Sequence, residues 1–216
     1  MNAKHSAISA KTLLSSPIRT RLGGFTLVEL MITIVILAIL IGIAVPSFDA
    51  FNKKSTVESI VSNLSSAVAT ARTEAASRNT VVTICAKNLA NDNTCALGTD
   101  TSVWNNGWLI IQGAAPAGGS TAISPAAIID IYRNGGRYKL AAGDETFFSF
   151  NSQGFLSGSS ADSLIVCAPN DDTDNKFSRG IYINTSGLVI KTRDTDGDGV
   201  HNNPADSNNE IDCSSL

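Results

Sequence analysis

Glu29 is the first residue on which chemistry can be built, because it is the only ionisable side chain in the run from Phe25 to Val45, FTLVELMITIVILAILIGIAV. A helix rises about 1.5 Å per residue, so this run is long enough to span the hydrocarbon core of a bilayer, about 30 Å. A lone carboxylate there costs on the order of 2 to 4 kcal/mol near the middle of a membrane and less toward its edge, so Glu29 needs neutralising or a cationic partner. Gly23 and Gly24 stand before the run, whereas an ordinary secretory signal places its small-residue cut after the apolar core. Cutting after Gly24 keeps the apolar helix and creates an amino group on Phe25, four residues from Glu29.

A second group with the right types and spacing is DTDGDGVHNNPAD, Asp194 to Asp206. Asp194, Asp196 and Asp198 alternate and Gly199 follows. That is the D-x-D-x-D-G opening of a calcium loop, in which alternate side chains converge on one ion and the glycine allows a sharp turn. Ala205 stands where such a loop closes with glutamate, which leaves Asp206, one residue later, as the candidate fourth ligand. An acidic solvated tail is the competing reading. Calcium is therefore a candidate ion, and no cofactor is required.

Cys85, Cys95, Cys167 and Cys213 all lie beyond the apolar run, in what orientation makes an oxidising compartment. Four cysteines allow three pairings. The expected one joins Cys85 to Cys95, closing a short polar loop, and Cys167 to Cys213, tying the last residues to the domain. Zinc is disfavoured, since no C-x-x-C pair is present and His201 is the only histidine after Gly24. A Gly-rich phosphate loop, a Gly-x-Ser-x-Gly elbow and paired histidines are all missing, so an enzyme is not expected.

The elements that position these residues follow from patterning. Residues 1–24 read as a leader with Lys4, Lys11, Arg19 and Arg21 and no acid; its loss takes the formal charge of the 216-residue chain from −3 to −7. The same cations hold the amino end on the cytoplasmic side and send the remainder across the membrane. Hydrophobic content of 43% and a mean hydropathy of +0.10 are high for a soluble domain, and the apolar run accounts for part of that. Residues 25–48 read as a membrane and assembly helix. Pro46 is expected to kink it without ending it, because a periodic stretch follows in residues 49–79. There Val57, Ile60, Val61, Leu64, Ala67, Val68, Ala71 and Ala75 recur at three- and four-residue spacing, with Ser, Asn, Thr, Glu58 and Arg72 opposite. Helix is predicted from about Phe25 to about Ser77, its first half apolar all round and its second half packed on the domain.

In residues 80–216 the period becomes strand-like between Gly, Asn and Ser clusters. Strands are predicted near Val81–Ala86, Trp108–Gln112, Ile128–Tyr132, Thr146–Phe150, Leu164–Ala168, Gly180–Ile183 and Leu188–Thr192, with a flexible loop from Gly113 to Ser120. The fold class is α+β, an antiparallel sheet laid on the second half of the helix. Trp104 and Trp108 read as core residues.

The segment Gly24-Phe25-Thr26-Leu27-Val28-Glu29 resembles the type IV prepilin signal. That resemblance implies a prepilin peptidase cutting between Gly24 and Phe25 and methylating Phe25, with Glu29 pairing to the amino terminus of a neighbouring subunit. Beyond it, EAASRNTVVTIC (Glu74 to Cys85), WNNGW (Trp104 to Trp108), Phe147, Phe150 and Gly154, LIVC (Leu164 to Cys167) and RGIYINTSG (Arg179 to Gly187) are similar in content and order to the GspH/FimT family of minor pilins and pseudopilins. The family implies the type IV pilin fold and a structural role: a minor type IV pilin that helps initiate assembly at the filament tip, or alternatively the corresponding minor pseudopilin of type II secretion. Its implied partners are the prepilin peptidase, other minor and major pilins, and the inner membrane. The implied location is a single pass of the inner membrane with a periplasmic domain, then the pilus or pseudopilus tip. A third reading, capture of DNA for uptake, is disfavoured. DNA-binding members carry Gly-Arg-x-Arg near the last strand, and here Gly187-Leu188-Val189-Ile190 stands there.

Overall fold

The computed structural model describes residues 24–89, 93–96, 98, 101–116, 122–169, 172, 174–203 and 206–213, with the backbone alone at Pro46, Thr101 and 206–209. The leader ahead of Gly24, the end of the Gly113 to Ser120 loop and Ala205 lie outside the described residues. One helix, α1 (Leu27–Arg78), is continuous through Pro46. The chain divides into two compact units after Ala44. In the first, every residue from Gly24 to Ala44 is exposed, and its side chains are almost all Leu, Ile, Val, Met and Ala. By length and composition this part of α1 is fit to cross a membrane.

In the second unit the stripe from Val57 to Ala75 forms one wall of the core, and all eight of its residues are buried. Each fully buried Leu, Ile or Val stabilises the fold by about 1.5 to 3 kcal/mol relative to exposure, which is why the spacing of these residues dictates how α1 sits on its own domain. The other wall is two antiparallel sheets, where the sequence suggested a single one. The first contains β1 (Val82–Ala86), β2 (Gly107–Gln112), β3 (Ile128–Arg133) and β5 (Phe147–Phe150) in the order β3-β2-β1-β5. The second contains β4 (Lys139–Ala142), β6 (Asp162–Cys167), β7 (Arg179–Ile183) and β8 (Val189–Lys191) in the order β4-β6-β7-β8. Ile84, Phe148 and Phe150 from the first sheet and Leu140, Leu164 and Ile181 from the second share one hydrophobic core with the α1 stripe.

β1 is buried at every position because both its faces are covered. Val82, Ile84 and Ala86 meet the α1 core, while Cys85 belongs to a smaller cluster with Cys95, Leu109 and Ile111 on the far side. Thr83, buried between them, shares a hydrogen bond with Ser149 Oγ at 2.7 Å. The WNNGW segment joins the sheets. Trp104 is fully buried and donates from Nε1 to the Glu145 carbonyl at 2.9 Å, and Asn105 Oδ1 accepts from the backbone of Leu140 in β4. Trp108 stacks on Tyr132 with centroids 4.0 Å apart. Both tryptophans are core residues, as expected from the sequence.

Arg72 departs from its expected solvent face. It is half-buried and donates from Nε to the Gly154 carbonyl at 3.0 Å and from Nη2 to the Ser186 carbonyl, tying α1 to the two turns that follow β5 and β7. Gly187 makes that approach feasible. Its φ is +71°, and a Cβ there would collide with the Gly154 carbonyl oxygen, so only glycine fits.

Disulfides join Cys85 to Cys95 and Cys167 to Cys213, with Cα separations of 5.7 and 5.9 Å. The second holds the carboxy-terminal segment, which contains a short hairpin of β9 (Asn202–Asn203) and β10 (Asp206–Glu210), against the second sheet. Ser163 Oγ donates to Asn203 Oδ1 at 2.9 Å on the same side.

Candidate functional site

The head of α1 is built by Thr26. It precedes the first helical residue; its Oγ1 accepts the Glu29 N–H at 3.2 Å, and its carbonyl accepts the Leu30 N–H at 3.1 Å. Thr26 is therefore the N-cap and Glu29 the third helical residue, the Thr-x-x-Glu arrangement that satisfies otherwise unbonded N–H groups at a helix start. An acid in the first turn is also favoured by the partial positive charge of the helix amino end. Phe25 is 78% exposed, and among the described residues no atom beyond the adjacent ones lies within 4 Å of the place where a Gly24 Cβ would sit. The Gly24–Phe25 bond is open to a peptidase, and cutting it leaves a single residue ahead of the cap. The Glu29 carboxylate is exposed and bonds to no described residue. Thr26 was absent from the sequence-based site, although its spacing to Glu29 carries the signal.

The acidic loop folds around Asp194. Its Oδ1 accepts the Gly197 N–H at 2.7 Å and its Oδ2 the Gly199 N–H at 3.0 Å, while the two glycines adopt φ of +85° and +95°. These bonds, that from Gly197 first, hold the Asp194 carboxyl below its ordinary pKa although burial opposes them. Asn202 closes the loop: its N–H donates to the Arg193 carbonyl at 2.8 Å, and its Oδ1 accepts from Thr195 Oγ1 and N–H, both at 2.8 Å. Asp194, Asp196 and Asp198 each offer an oxygen, and these three atoms lie within 4.8 Å of one another. Oxygens on opposite sides of a calcium ion stand about 5 Å apart, so this donor set fits that ion. Asp206 opens β10 opposite Asn203, and its side chain lies outside the described residues. Glu210, which sequence reasoning did not select, pairs with Asn202 across the hairpin, and its carboxyl is pushed up chiefly by the charge of Asp198. The hairpin thus brings Glu210 near Asp198, beside the three-aspartate group, from a point that linear spacing does not reach.

On β8 and just before it, Leu188 and Ile190 are both about half exposed, so apolar side chains occupy the positions that the resembled Gly-Arg-x-Arg motif would fill with arginine. Lys191 and Arg179 line one cavity with Glu58 and His201. Burial, then the Arg179 charge, lowers the His201 pKa.

A capped apolar helix with glycine just ahead of it, continued into an α+β domain, has the make-up of a pilin-type protein fit for membrane anchoring. Residues 19–45 match the prokaryotic N-terminal methylation motif, which implies processing by a prepilin peptidase and other pilins as partners. Residues 61–187, more than half of the chain, match the family described as type II transport protein GspH, and the chain belongs to that family. No curated protein sequence matches it. Two crystal structures of the type IV minor pilin FimU of Pseudomonas aeruginosa (strain PAO1) are similar at 20% identity each. One aligns with a TM-score of 0.45 over 63% of this chain and 92% of that one; the other has 0.46 over 65% and 90%. The family and fold are those of structural pilins rather than enzymes.

Proposed function

We propose that this chain is a minor type IV pilin, a structural protein that helps initiate assembly and sits at the filament tip with its domain first in the periplasm. The observation that carries this reading is the head of α1: an exposed Gly24–Phe25 bond, a Thr26 cap and a Glu29 with no partner among the described residues, at the start of an exposed apolar helix. An ammonium on Phe25 and a carboxylate on Glu29 of a neighbouring copy or pilin neutralise one another in lipid, where each alone is unfavourable. Mass spectrometry of protein from the native host is expected to show a chain starting at N-methylated Phe25, and sheared filaments are expected to contain it. Retention of residues 1–24 would overturn the reading. The family description supports a second reading, a minor pseudopilin of type II secretion. Loss of the protein's assembly in a strain without the secretion machinery, with pili unaffected, would select it.

We infer weak calcium binding by Asp194, Asp196 and Asp198 with Glu210 or Asp206 closing the site, at dissociation constants of about 10⁻⁴ to 10⁻³ M. The charge of Asp198, then that of Asp196, pushes the Glu210 carboxyl up, and a cation bound among these acids relieves that repulsion. Calcium at millimolar concentration is expected to raise the melting temperature at neutral pH and to do so less as pH falls toward the carboxylate range. No response, or an equal response in Asp196→Asn, would leave the loop an acidic tail.

DNA capture is not expected. Non-specific affinity for DNA comes mainly from Lys and Arg meeting phosphates. Six acids and no cation lie between Asp194 and Leu216, directly after Lys191 and Arg193. A mobility-shift assay at low salt is expected to show no complex at about micromolar protein, the range of non-specific binders. Binding that disappears in Lys191→Ala with Arg193→Ala would promote DNA capture instead.

A further inference from the structure

Between the second half of α1 and the edge formed by β7 and β8 lies a cavity of about 400 Å³, lined by Glu58 and Ser62 of the helix, Arg179, Lys191, Thr192 and His201 among others. We propose that this cavity is a binding site for a single carboxylate, held by the guanidinium of Arg179 and the ammonium of Lys191. The proposal is independent of the filament reading and of calcium.

Arg179 carries the argument. Its Nη1 donates to the carbonyls of Lys176 at 2.8 Å and Ser178 at 2.7 Å, which fixes the plane of the guanidinium without supplying a counter-charge. Its Nε and Nη2 bond to no described residue, and it forms no ion pair within 4 Å among the described residues. The side chain is half-buried, and burial is the largest influence on its pKa, in the downward direction; Glu58, Asp172 and Asp194 oppose it from longer range. A partly desolvated guanidinium with two free donors matches the two oxygens of a carboxylate in a bidentate pair. Lys191, from the edge strand, adds a second cation that likewise has no described partner.

The remaining lining residues set the charge of the ligand. Thr192 Oγ1 accepts the Gly180 N–H at 2.9 Å and lies 3.1 Å from His201 Nδ1. Burial, then the Arg179 charge, disfavours the charged form of His201, and the Thr192 hydroxyl it shares a hydrogen bond with is neutral, so the fixed charges of the cavity are those of Arg179, Lys191 and Glu58. In the lining itself Arg179 and Lys191 outnumber Glu58 by one charge, while Asp172 and Asp194 act on Arg179 from farther off, so the anion least repelled is one of low charge. A phosphate dianion or a polyanion meets Glu58 at the wall and Asp172 and Asp194 beyond it. Carboxylate is therefore the class selected, either as an acidic side chain of another polypeptide or as a small free acid.

The test uses the mature full-length chain in detergent with isotope-labelled arginine, following the Arg179 Nε–H resonance, assigned by its loss in Arg179→Gln. Acetate titrated at constant ionic strength is expected to shift that resonance saturably with a dissociation constant of about a millimolar, the range of a single weak polar contact set. Lys191→Gln is expected to weaken binding and Glu58→Gln to tighten it, each by about twofold to fivefold, the scale of partly exposed charge pairs. Inorganic phosphate is expected to produce no saturable shift. Acetyl-glutamyl-methylamide binding at least as tightly as acetate assigns the site to a protein side chain, whereas acetate binding with exclusion of that probe assigns it to a free acid. No saturable acetate shift, phosphate binding tighter than acetate, or weaker binding in Glu58→Gln overturns the proposal.

Discussion

Replacing Glu29 by valine is expected to leave the leader cut and Phe25 methylated while removing the protein from filaments. The proposed cut lies at the exposed Gly24–Phe25 bond, away from the Glu29 side chain, and valine in the first turn of α1 eases rather than hinders the helix's residence in lipid. The carboxylate has no partner among the described residues, and the function proposed above supplies one from another subunit. An ion pair in a poorly solvated setting is worth at least about 1.4 kcal/mol when one member is deleted, which is tenfold or more in the incorporated fraction. The ratio of protein in sheared filaments to whole cells, measured with the N-terminal mass of both pools, checks this. Thr26→Ala separates charge from helix capping: losing the cap costs about 1 kcal/mol of local helix stability and is expected to leave incorporation near normal. Normal incorporation of Glu29→Val would make the carboxylate incidental to assembly.

The parts of this fold that could be read in the sequence are those whose pattern is local. The Val57 to Ala75 stripe announced a half-buried helix because its period matches the helix and every stripe residue found the core. Seven strands were legible because they are continuous apolar runs between turn residues. The strands that were missed lack that contrast. β4 is Lys-Leu-Ala-Ala directly after a Gly-Gly-Arg-Tyr turn, and its strand character comes from pairing with β6. β9 and β10 consist of Asn, Asp, Ser and Glu, whose own preference is for turns; they pair because Cys213 is pinned to Cys167, the Asn202 N–H donates to the Arg193 carbonyl and the Ile211 N–H donates to the His201 carbonyl. The division into two sheets was equally hidden, since strand order depends on which runs meet over α1 and not on any run alone. The site divides the same way. Glu29 and the three aspartates show themselves by neighbours two to four residues away, whereas Glu210 beside Asp198, and Arg179 facing Lys191 and Glu58, are products of long-range pairing.

The Cys167–Cys213 bridge tests that dependence, with the largest effect expected on the domain itself. It spans 46 residues, so in the chain-entropy picture its removal costs about 4 kcal/mol, against about 3 kcal/mol for the 10-residue span of Cys85–Cys95. For a domain of this size a kcal/mol moves the melting temperature by about 2 to 4 °C, so Cys167→Ala with Cys213→Ala is expected to lower it by about 8 to 16 °C. Cys167 is buried and Cys213 partly so, which adds a small packing loss in the same direction. The second consequence is specific to this fold. Cys213 lies three residues beyond Glu210, and β10 is paired only with the two-residue β9, so without the bridge the Glu210 carboxyl is no longer held beside Asp198. The double mutant is therefore expected to lose any stabilisation by calcium, while Cys85→Ala with Cys95→Ala retains it despite a lower melting temperature. Non-reducing peptide mapping should recover Cys167 linked to Cys213 in the wild type. A melting temperature unchanged by removing this pair would mean that the carboxy-terminal hairpin is held by its hydrogen bonds to Arg193, Ser163 and His201 alone.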